Sequence, residues 1–336
     1  MDKVAVVILN WNGRALMEKY LSGVVQLTEA PVVVADNGSE DDSLAWLQEH
    51  FPEVRRLSFD KNYGFAEGYN KAIEAVEAEY VVLLNSDVKV TENWLRPMLA
   101  YMENHPEVAA CQPKILSLHD PSEFEYAGAA GGFIDALGYP FCRGRIQSLV
   151  EEDNGQYDST VDVFWATGAC MLIRREDYLS AGGLDADFFA HMEEIDLCWR
   201  LNARGKRLVC LPQSVVFHLG GGTLNAGNPR KTFLNFRNNL LMLYKNLPEK
   251  DLRPVMRKRA FWDWVAAFFF LLKGEAGNFH AVFKARRAFR RMKPQILERR
   301  EANQKAAVRS SLPVYPGNST LDFYLKGRRT FDKLGF

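Results

Sequence analysis

The chain has 336 residues, with 42 Lys and Arg against 42 Asp and Glu; it is 47% hydrophobic and 25% charged. That composition excludes disordered and fibrous classes and leaves room for one large domain or two ordinary ones. The neutrality hides a segregation, since 23 basic and 35 acidic residues lie up to Lys250 while 19 basic and 7 acidic ones follow it.

The run VAVVIL at 4–9, ending in Asn10 and Gly13, is apolar on both alternations and predicts a parallel strand covered on both faces. A short helix over 14–25 follows, then a second buried strand over 31–35 that stops at Asp36. Asp41 or Asp42 caps a helix carrying Leu44, Leu47 and Phe51. A strand over 54–59, a helix over 64–78, a strand over 80–84 stopping at Asn85-Ser86-Asp87, a helix over 92–104 and a strand over 108–112 complete a βαβ series. Asn10, Asp36 and Asp87 each stand just past the carboxyl end of a predicted strand, the edge at which open parallel sheets bind ligands. Asp and Asn also end strands simply by making turns, so position alone does not assign them. Dinucleotide binding needs GxGxxG after the first strand and a P-loop needs GxxxxGK[ST]; neither pattern is present.

From 115 to 162 the helical period is lost in a glycine- and aromatic-rich segment, predicted as loops and short strands over the sheet edge, where an acceptor could lie against rings. Strand character returns at 161–166 and leads to 167–174; a helical turn or two covers 175–181. Glu193 and Glu194 open a helix that ends near Arg204, and two carboxylates there suit either the helix dipole or a positioned base. Asp196 either orients an acceptor or pairs with Arg200 one turn on. His218 ends a further apolar run before a glycine loop at 220–222.

After Phe233 the sequence is helical. The segment 261–272 is apolar nearly all round, and Phe279, Val282, Phe283, Phe289, Met292 and Ile296 alternate with arginines. Large aromatics and arginines on different faces fit an interfacial helix on an anionic membrane; packing on the rest of the chain or a homodimer interface would use the apolar side too. The last 30 residues, with Pro313, Pro316 and Gly317, predict an extended tail. A basic tail without a reading motif argues against a nucleic-acid partner. Five cysteines without a CxxC spacing predict a reducing compartment, and the absence of a signal-like start or a long uncharged stretch predicts a cytoplasmic protein, peripheral at most on the cytoplasmic face of the membrane.

Taken in order, the stretches VVILNWNG (6–13), VADNGS (34–39), NYGFAEGYN (62–70), LLNSD (83–87), Thr167-Gly168-Ala169, MEEIDLCWR (192–200) and FHLG (217–220) resemble the family 2 inverting glycosyltransferases, in particular their rhamnosyltransferase-like group. The helix at 235–240 looks like the segment that follows in that group. The resemblance implies an α/β GT-A nucleotide-sugar-binding fold, Rossmann-like with a mostly parallel sheet, over 1–232 and a helical C-terminal extension over 233–336. It implies that Asp36 holds the nucleobase with Asn10 near the nucleotide, and that Asn62, Gly64 and Asn70 line the donor pocket. Asp87 matches the last aspartate of a DxD-type motif for Mg2+ or Mn2+, with His218 as second metal ligand. Glu194 matches the catalytic base, and Glu193 is the alternative. Two departures are visible: Asn85-Ser86-Asp87 carries one carboxylate where a full DxD has two, and the base position holds Glu instead of Asp. The implied donor is a nucleoside-diphosphate sugar, dTDP-rhamnose before UDP-sugars, and the implied acceptor a glycan or lipid-linked hydroxyl in cell-surface polysaccharide synthesis. The rival readings are a non-catalytic nucleotide-sugar or glycan binding module, and a sugar-nucleotide nucleotidyltransferase, whose glycine- and arginine-rich first turn is missing.

Overall fold

In the computed structural model, residues 2–220, 227–309 and 311–336 are described. The first half alternates as expected: β1 (Asp2–Asn10), α1 (Arg14–Leu27), β2 (Val32–Asp36), α2 (Ser43–His50), β3 (Arg55–Ser58), α3 (Gly64–Glu74), β4 (Ala78–Asn85), β5 (Val88–Val90), α4 (Arg96–Asn104) and β6 (Val108–Ser117). Side chains alternate across β1: Val4, Val6 and Ile8 pack with α1, α2 and α4 on one face, while Ala5 and Val7 join α3 on the other. Two-sided burial is why the strand reads as continuously apolar. The third helix is shorter than its period suggested, ending at Glu74 so that Ala78 can begin β4.

The middle segment forms a small separate sheet, β7 (Gly132–Ile134), β8 (Pro140–Cys142), β9 (Arg145–Ile146) and β10 (Leu149–Val150). The chain then returns through β11 (Val161–Asp162), β12 (Cys170–Arg174), α5 (Arg175–Ser180), α6 (Glu193–Ala203) and β13 (Arg207–His218). The expected strand at 161–166 is reduced to β11 and a bridge from Trp165 to Gly132. Among the described residues the main sheet runs β11-β13-β6-β12-β4-β1-β2-β3, with β5 paired to β13. Neighbours β4-β1-β2-β3 are parallel, whereas β12 enters antiparallel between β4 and β6. This insertion carries the turn at 167–169 to the carboxyl end of β4, where the backbone N–H of Asn85 donates to the Ala169 carbonyl at 3.0 Å.

Among the described residues five α-helices follow: α7 (Pro229–Asn246), α8 (Glu249–Leu272), α9 (Ala276–Met292), α10 (Leu297–Ala306) and α11 (Ser319–Leu325). Leu240, Leu241, Met242 and Leu243 of α7 share one buried cluster with Val7, Leu83 and Met171 of the sheet. The extended tail predicted for the last 30 residues is corrected. Tyr315 N–H donates to Ile134 O at 2.9 Å, Ser319 N–H and Oγ both donate to Asp135, and the Phe331 ring packs 4.8 Å from Phe133. Prolines broke the helical pattern, but aromatic burial against the small sheet orders the chain. All five cysteines are buried free thiols, and among the described residues no helix is long and apolar enough to cross a membrane.

Candidate functional site

The carboxyl ends of β1 and β2 meet in register, Asn10 opposite Asp36. Asn10 Nδ2 donates to Asp36 Oδ1 at 2.9 Å and to Ser39 Oγ at 3.1 Å; Ser39 Oγ and N–H donate to the two Asp36 oxygens at 2.6 and 3.0 Å. Three bonds leave the Asp36 carboxylate with a lone-pair direction to spare. A Cβ at Gly13 would fall 2.4 Å from Asn10 Oδ1, so only glycine lets the chain pass this close. Trp11, beside this pair, is 48% exposed.

Asn62 Oδ1 accepts from the Gly64 N–H at 2.7 Å, and Asn37 ties the turn by donating to Asn62 Oδ1 and to Gly64 O. Gly64 has φ +79, and a Cβ there would strike the Phe189 ring at 2.6 Å. Asn70 sits one helical stretch on, with Oδ1 accepting from Tyr178 OH at 2.6 Å and Leu184 N–H at 2.9 Å and Nδ2 donating to Leu184 O at 2.8 Å. Its amide therefore acts on the loop at 182–184, while Asn62 and Gly64 shape the turn beside Phe189.

Asp87 follows β4, and β13 brings His218 to it: the His218 Nε2 to Asp87 Oδ1 distance is 3.0 Å, with Asn85 Nδ2 3.4 Å from the same nitrogen. The other ring nitrogen lies 3.3 Å from Glu125 Oε1, near enough to pair electrostatically although not aligned as a hydrogen bond. Asp87, Glu125 and His218 are all buried. Burial alone would lower the His218 pKa, but the Asp87 and Glu125 carboxylates outweigh it and push it up to about 10. Gly221 and Gly222, part of the predicted glycine loop, lie outside the described residues.

Glu193 and Glu194 begin α6 after an approach in which three non-glycine residues, Phe189, His191 and Met192, take φ of +64, +71 and +74. Such backbone costs of order 1–3 kcal/mol per residue and persists only where neighbours enforce it. Helix α7 does so. Asn238 Nδ2 donates to Phe188 O, Ala190 O and His191 O at 3.0, 2.8 and 2.7 Å, and Arg237 Nη2 donates to Asp187 O and Phe188 O. The far end of the loop is held by ions: Lys245 pairs with Asp185 and, at 2.9 Å, with Asp196, which also receives Arg200 Nε at 3.0 Å and Asn246 Nδ2 at 2.8 Å. Asp196 is fully buried in this cluster, so of its two expected uses the structure takes the structural one.

The two glutamates differ. Glu193 is buried, and desolvation followed by the charge of Glu194 pushes its pKa well up. Glu194 is partly exposed, and burial raises it to about 7. It packs by the 167–169 turn: a Cβ on Gly168 would stand 3.9 Å from Glu194 Cβ and 3.2 Å from the Phe65 ring. Ala169 of the same turn accepts from the Asn85 N–H, so the turn neighbours both Glu194 and the segment that carries Asp87, and Cys142 feels the charges of both Glu125 and Glu194.

Residues 5–179 match the family model of Glycosyl transferase family 2, over half of the chain. The chain belongs to that family. This glycosyltransferase is 28% identical over 237 residues to the N-acetylglucosaminyl-diphospho-decaprenol L-rhamnosyltransferase of Mycobacterium tuberculosis, covering 65% of this chain and 76% of that one. It is 23% identical over 226 residues to rhamnosyltransferase WbbL of Escherichia coli K12, covering 64% and 83%. Its fold is that of two solved GT-A structures. GalNAc-T7 with UDP, GalNAc and Mn2+ aligns with TM-score 0.56 and 16% identity over 73% of this chain and 48% of that one. The mannosyltransferase PcManGT of Pyrobaculum calidifontis with GDP-Man and Mn2+ aligns with TM-score 0.53 and 14% identity over 90% and 84%. The GT-A architecture with a C-terminal helical extension is thereby established.

Among the described residues of the glycosyltransferase no group of three or more His, Cys, Asp or Glu is arranged to hold a metal. The pair Asp87–His218 nevertheless fits a partial donor set, because two neighbouring ligands of an octahedral ion at about 2.1 Å lie about 3 Å apart, the separation seen here. Glu125 lies 3.3 Å from the opposite ring nitrogen, where a carboxylate would help to hold such a histidine. Sequence reasoning missed Glu125, which follows Asp120 and Glu123 ahead of the aromatic segment without a spacing signal. It also gave no role to Asn238, although the segment carrying it resembled the family.

Proposed function

We propose that the glycosyltransferase inverts the anomeric centre in transferring a sugar, with dTDP-rhamnose favoured over UDP-sugars, from a nucleoside diphosphate to a hydroxyl of a lipid-linked glycan acceptor. The setting is cell-surface polysaccharide synthesis at the cytoplasmic face of the membrane. The observation that carries the reading is that the 167–169 turn neighbours both groups: Ala169 O accepts from the N–H of Asn85, two residues before Asp87, and Gly168 lies beside Glu194. The curated names of the mycobacterial and Escherichia coli relatives supply the tilt to rhamnose and, for the former, to a polyprenyl-diphosphate acceptor.

Asn10 and Asp36 meet the nucleotide, Asp36 with its remaining lone pair toward the base, and Asn62 with Gly64 shapes the donor shelf. Asp87 and His218 would hold Mn2+ or Mg2+, which supplies charge neutralisation at the departing diphosphate. Glu194, titrating near 7, accepts the acceptor hydroxyl's proton as attack proceeds from the face opposite the leaving group. Burial and the charge of Glu194 disfavour ionisation of Glu193, which leaves Glu194 as the favoured proton acceptor of the pair. A direct displacement assisted by one carboxylate base inverts the anomeric centre.

The test is a calorimetric screen of UDP, dTDP and GDP and their common sugars with Mn2+ present, followed by anomeric assignment of the product. Binding of dTDP-rhamnose and an inverted product support the reading. Failure of all three nucleotide classes to bind sinks it, and binding without transfer to any hydroxyl acceptor favours the binding-module alternative.

A further inference from the structure

The sequence left three uses for the apolar side of the C-terminal helices, and the structure divides them between two helices. On α9, Ala281, Val282, Ala285 and Phe289 are buried, so that stripe is intramolecular packing. On α8 the arrangement is inside out. Its buried face carries Arg259 and Asp263, with Arg259 donating to Asp263 Oδ1 at 3.1 Å and Leu137 O at 3.2 Å and lying 4.0 Å over the Tyr139 ring, while Arg286 of α9 pairs with Asp263. Its outer face carries Phe261, Trp264, Val265, Phe268, Phe269 and Leu272 at helical offsets, with exposures from 41% at Trp264 to 86% at Leu272. Trp264 touches Phe283 of α9 edge-on at 4.6 Å, and Phe283 is itself 37% exposed, so the apolar face is continuous across the hairpin. A helix that buries its charges and shows its aromatics to solvent is the reverse of what water selects.

The rim of this face is basic. Arg257 and Lys258 precede Phe261 by one turn, Lys273 follows Leu272, and Lys284 and Arg287 flank Phe283; all five are exposed. Between Leu252 and Leu297 there are eleven basic residues and two acidic ones, Asp263 and Glu275. Asp263 is neutralised inside, and Glu275 receives Asn278 Nδ2 at 2.7 Å. An apolar strip edged by exposed cations suits an anionic phospholipid bilayer, with aromatics in the acyl boundary and Lys and Arg at the headgroups. A second copy on the same face would bring one basic rim against another basic rim, since a two-fold contact joins the same patch on both copies.

We infer that the outer face of the α8–α9 hairpin, centred on Trp264, Phe268 and Phe283, is a docking surface that lies in the plane of an anionic bilayer. This deepens the lipid-linked-acceptor reading, on which it rests for why a bilayer is met at all. The hairpin sits in the membrane interface, and α9 and α7 connect it to the loop that positions Glu194.

The experiment is sedimentation of the full chain with vesicles of phosphatidylglycerol and phosphatidylcholine, and with phosphatidylcholine alone, without donor or acceptor. The wild type should bind the anionic vesicles at least about tenfold more tightly than the neutral ones. Phe268→Ser with Leu272→Ser should weaken anionic binding by about thirtyfold, because two exposed side chains lose their insertion and no core contact changes. Lys284→Glu with Arg287→Glu should weaken it by about tenfold and leave neutral binding alone. Calorimetric nucleoside-diphosphate binding, measured without vesicles, should be the same for all three proteins, which separates failure of docking from failure of the donor reading. Equal wild-type binding to both vesicle types, or undiminished binding of the serine variant, overturns the inference. So does a wild-type dimer in solution that the serine variant dissociates, since a second copy would then cover the face.

Discussion

Replacing Glu194 by Gln keeps the volume and one hydrogen-bonding oxygen while removing the titrating group, and it should move activity and stability in opposite directions. Burial raises the carboxyl from 4.5 to about 7 in the folded protein. The native state therefore holds a proton that the unfolded state has already lost between those values. The stability contributed by that proton is complete below about 4.5 and is lost as pH rises through about 7. Above pH 7 the folded enzyme carries an ionised, partly buried carboxylate with an unpartnered Oε2, at a cost of about 3 kcal/mol. Gln carries none of this. The variant should match the wild type in thermal stability near pH 5, where Glu194 is protonated and nearly isosteric, and exceed it at pH 8 by up to about 3 kcal/mol, or several degrees of Tm. Transfer should fall by about 100- to 10,000-fold while donor binding holds, and wild-type activity should rise with pH to a plateau just above 7. The assays are melting curves at the two pH values and initial rates of nucleoside-diphosphate release dependent on acceptor. Transfer within about threefold of wild type would move the base to Glu193, and a Tm gain equal at both pH values would show that the carboxylate is not strained by burial.

Lys245→Met removes the cation shared by Asp185 and Asp196 and leaves buried charge, so chemical denaturation should show a loss of about 3–5 kcal/mol. Asn238→Ala frees three carbonyls of the left-handed approach to α6; turnover should drop about tenfold or more with donor affinity kept within about threefold, because small displacements of a base are costly in rate. A variant that melts earlier but turns over normally would make Asn238 purely structural. His218→Ala should weaken Mn2+ by about tenfold or more when titrated at saturating nucleoside diphosphate, leaving metal-free nucleotide binding intact; equal Mn2+ affinities would return His218 to a residue that ends a strand.

The sequence by itself determined the alternating half of the fold, because strands covered on both faces must be continuously apolar and helices must show a period, and both patterns are local. It also determined that Asn10, Asp36 and His218 stand where strands end and that Asp87 lies just past one, since polar residues interrupt such apolar runs at the ends of the strands. What only the tertiary structure decided depends on contacts far apart in the chain. The antiparallel entry of β12 between β4 and β6 sets the 167–169 turn beside Asn85, and no local pattern encodes which strands it separates. Glu125 reaches His218 across more than ninety positions, and Lys245 meets Asp196 across forty-nine, so neither leaves a spacing to read. The difference in burial between Glu193 and Glu194 is a property of the packed molecule. The apolar residues of α8 and α9 look alike in sequence. One stripe is core and the other faces outward, because Arg259 and Asp263 claim the inner side of α8, and only the fold reveals which side is inner.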